Sequence, residues 1–429
     1  MNKNGRRAVI VGGIRTPFVK AFGKLLKHDT IALGDSAVSS LLARTELDPK
    51  EIDGIVWGGV ILPGMAPNVA REIALDLRLP HSVEAFTVTR ACASGLQAVT
   101  SAASAIERGD ADVMIAGGSD STSNAEIKLP QKVVHAMAPL AFGKATPADM
   151  LGVMSQLVPL NEVLPKMPKI AERTTGQVMG EAAEEMARRN GVTREEQDEL
   201  AERSHHRAAA AIRSGRFDLE VAPFDGTSGD RVHVDDLVRA DTSMEKLAKL
   251  RPVFAKDGTL TAGNSSPLTD GAAAVLLMSE EKAKALGYRP KAAFRSWSYV
   301  GVDPADQLLM GPAIAMPRAL EKAGMTLADV DLVDMHEAFA AQVLAVLKML
   351  ASRAFAEERL GRSEAVGEVD PEILNVHGGS VAIGHPFGAT GARIVTTMAN
   401  ELTLEDRETA LIGICAAGGL GAGAVLERI

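Results

Sequence analysis

The chain has 429 residues, 46% hydrophobic and 24% charged, with a formal net charge of −9. That length and balance describe a soluble globular protein of two or three domains, while aromatics at 3% and the acidic excess argue against base stacking and phosphate-backbone binding. Two cysteines exclude a disulfide scaffold and fit a reducing compartment, the cytoplasm, and no stretch has the uninterrupted apolar length of a membrane span.

Residues 7–13 read as a buried first strand, too short for a signal-peptide core, and Ile14-Arg15-Thr16-Pro17-Phe18 as the loop leaving it. Residues 29–46 predict a helix with Leu33, Ala37, Leu41 and Leu42 inward. A strand over 52–59, a helix near 67–77 and a strand over 81–88 follow. The last leads into TRACASGLQAV, where Cys92 sits among small residues ahead of an amphipathic helix with Leu96, Val99, Ala103 and Ile106 on one face. Unpaired N–H groups at that helix start favour a thiolate. Taken alone, the stretch reads better as a small core cysteine. Residues 112–118 predict another buried strand, and short apolar strands alternating with helices indicate an α/β domain with a mainly parallel sheet.

The pattern changes between residues 119 and 251, which are rich in Met, Pro and Lys and read as an inserted lid. Residues 128–165 are apolar without clean periodicity; a partner contact, a membrane surface and an acyl tunnel are the three readings, with the tunnel preferred. Residues 174–214 are strongly helical, with a capping box at Thr193 and Glu196.

From Gly258 the α/β pattern resumes, with a strand near 291–300, and the second half repeats the first. TELDPKEIDGIVWGG resembles AGMTLADVDLVDMHE, and GLQAVTSAASAI from Gly95 matches GARIVTTMANEL from Gly391. Each helix is followed by an apolar strand ending in glycines. A pseudo-twofold between such halves brings equivalent loops together, so the Cys92 turn faces the turn holding His385. Residues 351–372 read as a surface insertion.

His385 lies in the glycine-rich NVHGGSVAIGHPFGATGAR, and a buried His beside a Cys is a common way to activate a thiol. Cys415 ends the last apolar strand before a glycine loop, where α/β sites form, although a structural cysteine fits equally. His336 and Glu337 stand at a strand-to-helix turn in VDMHEAFA.

Together, CASG, HEAFA, GHPxGATG and the C-terminal Cys-x-x-Gly-Gly, in that order, resemble the thiolases, acyl-CoA:acetyl-CoA acyltransferases. The likeness spans essentially the whole chain. The His of HEAF and the insertion before NVHGG look most like β-subunits of fatty-acid-oxidation trifunctional complexes. The resemblance implies two duplicated α/β halves (1–118 plus 252–279, and 280–429) with a lid at 119–251. It implies Cys92 as acyl-accepting nucleophile, His385 as its activator, Cys415 as second acid/base, and His336 as holder of an oxyanion-site water with Glu337 in support. Backbone N–H groups of Cys92 and Ala417 would form a second oxyanion site; family members commonly have Gly at the latter position. A lowered Cys92 pKa would permit attack near neutrality.

For coenzyme A, a co-substrate rather than a resident cofactor, residues 239–266 resemble the family's binding segment. They imply contacts from Arg239, Leu250, Phe254, Ala262 and Ser266, with Met179 beside the reactive centre. No metal is implied. Homodimers or homotetramers are expected, and the trifunctional likeness suggests a hydratase/dehydrogenase α-subunit. Degradative 3-ketoacyl-CoA thiolysis in β-oxidation is the leading expectation. Alternatives are a biosynthetic acetoacetyl-CoA thiolase, a decarboxylative ketoacyl synthase (against which Cys415 argues), and a non-catalytic acyl-CoA- or lipid-binding protein.

Overall fold

The apolar runs form β1 (Ala8–Arg15), β2 (Gly54–Gly58), β3 (Glu84–Val88), β4 (Val113–Ser121), β5 (Thr269–Ser279), β6 (Ala292–Gly301), β7 (Leu332–Met335), β8 (Thr409–Ala416) and β9 (Leu420–Arg428). They join in the order β7-β8-β9-β6-β1-β5-β4-β2-β3. The computed structural model describes residues 5–143, 146–156, 158, 163–164 and 171–429.

The repeat in the sequence becomes a symmetry of this sheet. Outward from the seam between β1 and β6, the strands β1, β5, β4, β2 of one half answer to β6, β9, β8, β7 of the other. The hydrogen-bonding pattern repeats as well. β2 pairs β4, and β7 pairs β8, in parallel. β5 runs antiparallel to β1 and β4, as β9 does to β6 and β8. At the seam Val9 and Ile10 pair antiparallel with Ala293 and Ala292, as a twofold between equivalent strands requires. β3, parallel to β2, has its counterpart in Leu374, which bridges to Val333 in parallel. The halves are thus α/β as the alternation implies, and the sheet is mixed. Strands joined through helices run parallel, while β5 and β9 fold back antiparallel beside their neighbours.

Side chains of successive strand residues point to opposite faces, and this sorts the core. Ala116, Val275, Ile412 and Ala424 share one cluster with Leu96, Val99 and Ile106 of α3 (Ser94–Arg108). α3 comes after α1 (Thr30–Thr45) and α2 (Val69–Asp76), which cover the other face of the first half around Ile55, Ile115 and Leu276. Leu33, Ala37 and Leu41 of α1 are buried as expected, whereas Leu42 is only partly so.

The segment 119–251 divides. Ser119–Ser121 complete β4. Residues Ala125–Ile170 form a separate compact unit containing α4 (Gln131–Phe142) and α5 (Pro147–Gln156), with Val133, Ala136 and Val153 buried. Of the apolar stretch 128–165, residues 144–145, 157, 159–162 and 165 lie outside the described residues, as do residues 1–4 of the basic N-terminus. From Ala171 the chain belongs to the main body. The helical stretch expected over 174–214 is two helices, α6 (Met179–Arg189) and α7 (Arg194–Arg213). Gly191 at φ +58° breaks them, and the Thr193–Glu196 box starts the second.

Ala182, Ala183 and Met186 of α6 join Met316 of α8 (Pro312–Ala323) and Val343 and Val346 of α9 (Ala340–Leu350) in the cluster that covers the second half. Residues 351–372 are largely exposed, with short helical turns over Arg353–Phe355 and Ala356–Leu360 before the return at Ile373. α10 (Phe387–Leu404) is buried from Gly388 to Leu402 and lies in the same cluster as α3, between the two sheet halves. There the repeat-equivalent glycines meet. A Cβ on Gly95 would lie 2.5 Å from the Gly388 carbonyl oxygen, and one on Gly391 2.2 Å from the Leu96 nitrogen.

Candidate active site

Cys92 lies in the tight turn between β3 and α3. The Ser94 hydroxyl accepts from the Arg90 N–H at 2.7 Å and donates to the Ala91 carbonyl at 2.7 Å. Ala91 takes φ +45°, a left-handed conformation that costs a side chain about 1–2 kcal/mol. The strain presents the next residue, Cys92, half-buried at the start of the helix.

The second half supplies the partners. His385 is pinned where the chain enters α10: its N–H donates to Thr269 Oγ1 at 3.0 Å, and it bridges to Leu268. His336 follows the end of β7, its N–H donating to the Gly413 carbonyl at 2.8 Å. One side-chain donor atom from each of Cys92, His336 and His385 lies within 4.8 Å of the others, and the two imidazole centroids are 4.0 Å apart. Cys415, 1% exposed near the end of β8, is close enough that the Cys92 charge bears on its ionisation. The Ala417 N–H, in the turn from β8 to β9, donates to the Cys92 sulfur. Glu172 accepts the Gly418 N–H at 2.9 Å and so ties down that turn.

Hydrogen bonding gives the two imidazoles different proton arrangements. Thr390 Oγ1 donates to the Pro386 carbonyl at 2.9 Å, so at 2.7 Å it must accept from His385 Nδ1–H. His385 Nε2, buried and without a partner, is left as a bare base. Ser380 Oγ takes a long contact of 3.4 Å from Arg393 Nη2 and sits 2.9 Å from His336 Nδ1. Among the described hydrogen bonds His336 Nδ1 is the only acceptor offered to the Ser380 hydroxyl proton, which is therefore donated there. The proton of His336 then stands on Nε2, also buried and unpartnered, where it can be donated into the site.

Electrostatics correct one expectation. Burial pushes the Cys92 thiol up to about 12, against the partial relief of the Ala417 N–H and its own N–H, and Asp120 raises it further. The helix start does not make a resting thiolate because desolvation outweighs those N–H groups. Burial, aided by Arg393, pulls His385 down to about 3. His336 is held well below its usual range by burial, His385 and Arg393. Cys415 is raised well above the ordinary thiol range by burial and by Cys92. Burial therefore favours the neutral form of all four groups at pH 7.

Glu337 is buried beneath His336. It accepts from Asn375 Nδ2 at 2.7 Å, Ser204 Oγ at 2.7 Å and the Val381 N–H at 3.2 Å. Of the residues expected to meet coenzyme A, Phe254 packs edge-on against Phe339 at 5.8 Å, and Ser266 donates its N–H to the Ala338 carbonyl at 3.0 Å. Both therefore touch the turn carrying His336. Met179 packs beside Phe254 on the same cluster. Arg239, Leu250 and Ala262 are exposed, and no described contact joins them to Cys92. Thr390, Ser380, Arg393, Asp120 and Glu172 were not singled out by sequence. Thr390 stood within reach, five residues after His385 in the same motif, but its role depends on where its proton goes.

Comparison with known proteins bears on this cluster. The family model described as "Thiolase, N-terminal domain" matches residues 8–281, and "Thiolase, C-terminal domain" matches residues 288–428. The chain belongs to the thiolase family. This thiolase is 45% identical over 431 residues to the 3-ketoacyl-CoA thiolase of Shewanella woodyi, covering 99% of this chain and 98% of that one. It is 46% identical over 433 residues to the 3-ketoacyl-CoA thiolase of Yersinia enterocolitica, with 100% and 98% covered. Among solved structures, the Bacillus anthracis acetyl-CoA acetyltransferase matches with TM-score 0.83 at 34% identity over 99% of both chains. Human mitochondrial 3-ketoacyl-CoA thiolase in complex with CoA matches with TM-score 0.83 at 30% identity over 99% of this chain and 98% of that one.

Proposed function

We propose that this thiolase is a 3-ketoacyl-CoA thiolase of fatty-acid β-oxidation, cleaving a 3-ketoacyl-CoA with coenzyme A to acetyl-CoA and a shortened acyl-CoA. The observation that carries the reading is the meeting of Cys92, His385 and Cys415 in a chain 45% identical over its length to proteins of that name. Cys92 passes its proton to His385 Nε2 as its sulfur adds to the ketone carbonyl. The C2–C3 bond breaks, the acyl group stays on Cys92, and Cys415 protonates the departing enolate carbon to give acetyl-CoA. The coenzyme A thiol then gives its proton to Cys415 as its sulfur attacks the acyl-enzyme thioester, and His385 returns its proton to the Cys92 sulfur as that sulfur leaves. His336 Nε2–H, through a water, and the N–H groups of Cys92 and Ala417 supply the oxyanion donors.

Coenzyme A enters as co-substrate. Arg239, Leu250, Phe254, Ala262, Ser266 and Met179 are its proposed contacts; the packing of Phe254 and Ser266 on the His336 turn supports this. Of the segment 119–251 expected as a lid, Ala125–Ile170 is the part that forms a unit of its own. Two free thiols fit the cytoplasm, and among the described residues no helix is long and apolar enough to cross a membrane. A homodimer, or a pair of them, is supported by β3, which ends the sheet order and exposes Phe86. A hydratase/dehydrogenase subunit is the further partner that the trifunctional likeness suggests.

A biosynthetic acetoacetyl-CoA thiolase is the second reading, favoured by the fold match to an acetyl-CoA acetyltransferase. The deciding experiment is thiolysis of a 3-ketoacyl-CoA series from short to long chains, with Cys92→Ala as control. Turnover that extends to long chains and vanishes in the variant is expected. Activity confined to acetoacetyl-CoA moves the assignment to the second reading, and none at any length overturns both.

A further inference from the structure

The same geometry that arms Cys92 makes a ligand set for a soft divalent cation. Three donor atoms of Cys92, His336 and His385 lie within 4.8 Å of one another. A thiolate with two imidazoles is a zinc-type set, and tetrahedral bonding at about 2.0–2.3 Å holds ligand atoms roughly 3.5 Å apart. Closing the trio onto an ion thus asks each side chain for a small movement. Two features point inward independently of that spacing. The Nε2 atoms of His336 (0% exposed) and His385 (4% exposed) are both buried without a hydrogen-bond partner. Each ring is also braced at Nδ1, by Ser380 Oγ at 2.9 Å and Thr390 Oγ1 at 2.7 Å, the outer hydrogen bonds that orient metal-binding imidazoles.

We propose that Cys92, His336 and His385 form an inhibitory site for Zn2+ that competes with the acyl group for the nucleophile. On binding, the Cys92 thiol proton leaves to solvent and its sulfur bonds to the ion, so binding strengthens as pH rises. His385 already carries its proton on Nδ1. His336 must shift its proton from Nε2 to Nδ1, with Ser380 Oγ then accepting. A solvent molecule completes the coordination, and Cys415 is not a ligand. The metal has no part in thiolysis; it occupies the sulfur on which the acyl-enzyme would form.

For its effect on turnover the inference rests on the proposed role of Cys92, so the decisive readout is independent of turnover. Coenzyme A also binds zinc through its thiol, which makes inhibition alone a poor measure. Co2+ is titrated into the full-length protein without substrate, and the thiolate-to-cobalt charge-transfer band is followed. The band should appear at about one equivalent, disappear in Cys92→Ser, persist in Cys415→Ser, and shift to at least ~10-fold weaker affinity in His336→Asn. Zn2+ should displace the Co2+ and slow alkylation of Cys92 by iodoacetamide, with EDTA restoring it. Melting curves establish that each variant is folded, and His336→Gln replaces His336→Asn if the latter is not. No band, a band that survives Cys92→Ser, or unchanged affinity in the His336 variant overturns the site. A folded protein that binds cobalt as described yet thiolyses nothing would retain the metal site and reject the enzymatic assignment.

Discussion

No described contact joins Thr390 to Cys92, yet its single hydroxyl proton decides which nitrogen of His385 is left bare. Thr390→Val keeps the side-chain shape and removes the acceptor for Nδ1–H. We expect kcat for thiolysis to fall roughly 10²-fold with KM little changed, while Thr390→Ser retains most activity. Steady-state kinetics of the two variants check this, and equal losses in both would refute the proton argument. The pH dependence follows from the neutral resting pair. With the thiol at about 12 and His385 at about 3, Cys92 gains thiolate only as pH rises. Its alkylation by iodoacetamide should therefore accelerate steadily through pH 9, about tenfold per unit. A plateau from pH 5 upward would show a preformed thiolate–imidazolium pair instead. At this scale the sequence singled out the residues that the fold brings together, Cys92, His336 and His385, but not their ionisation, because Cys92 beside a helix start looks activated until the surrounding burial is known.

Elements were easier to anticipate where one local signal dominated. The apolar face of α3 places Leu96, Val99 and Ile106 inward at 0% exposed, worth about 1.5–3 kcal/mol each. The capping box of α7 was legible from Thr193 and Glu196 alone, and Thr193→Ala should lower stability by about 1 kcal/mol in urea unfolding. The break at Gly191 was hidden by strongly helical residues on both sides. Parallel and antiparallel strands were not separable either: β5 and β9 are apolar runs like their neighbours, and direction is set by what they pair with. The crossing of α3 and α10 is the most demanding contact of this kind. Gly391→Ala forces a methyl against the Leu96 nitrogen and should cost ~1–3 kcal/mol or more, measured as a fall in the urea midpoint. A midpoint unchanged from the parent would mean that the helices part without penalty.

For the whole molecule, the internal repeat carried more information than any single motif. It placed Cys92 and His385 on facing turns before any coordinate, and the matched order of strands on either side of the β1–β6 seam is its physical expression. Assembly is a different matter, because one chain does not display what covers an edge. If β3 meets its counterpart in a second copy, Phe86→Glu should convert a dimer to a monomer in sedimentation, with the fold retained; an unchanged mass would move the contact elsewhere. The close crossing at Gly95 and Gly391 also has a consequence for the order of events during synthesis. The first half leaves the ribosome carrying Cys92, but α10, which crosses α3 at Gly95, belongs to the last part of the chain. Until Gly391 and α10 arrive, Cys92 has neither His385 beside it nor the helix that packs across α3. Cys92 is thus open to oxidation from the time it emerges, and the cluster with His336 and His385 closes in one late step when nearly the whole chain has been made.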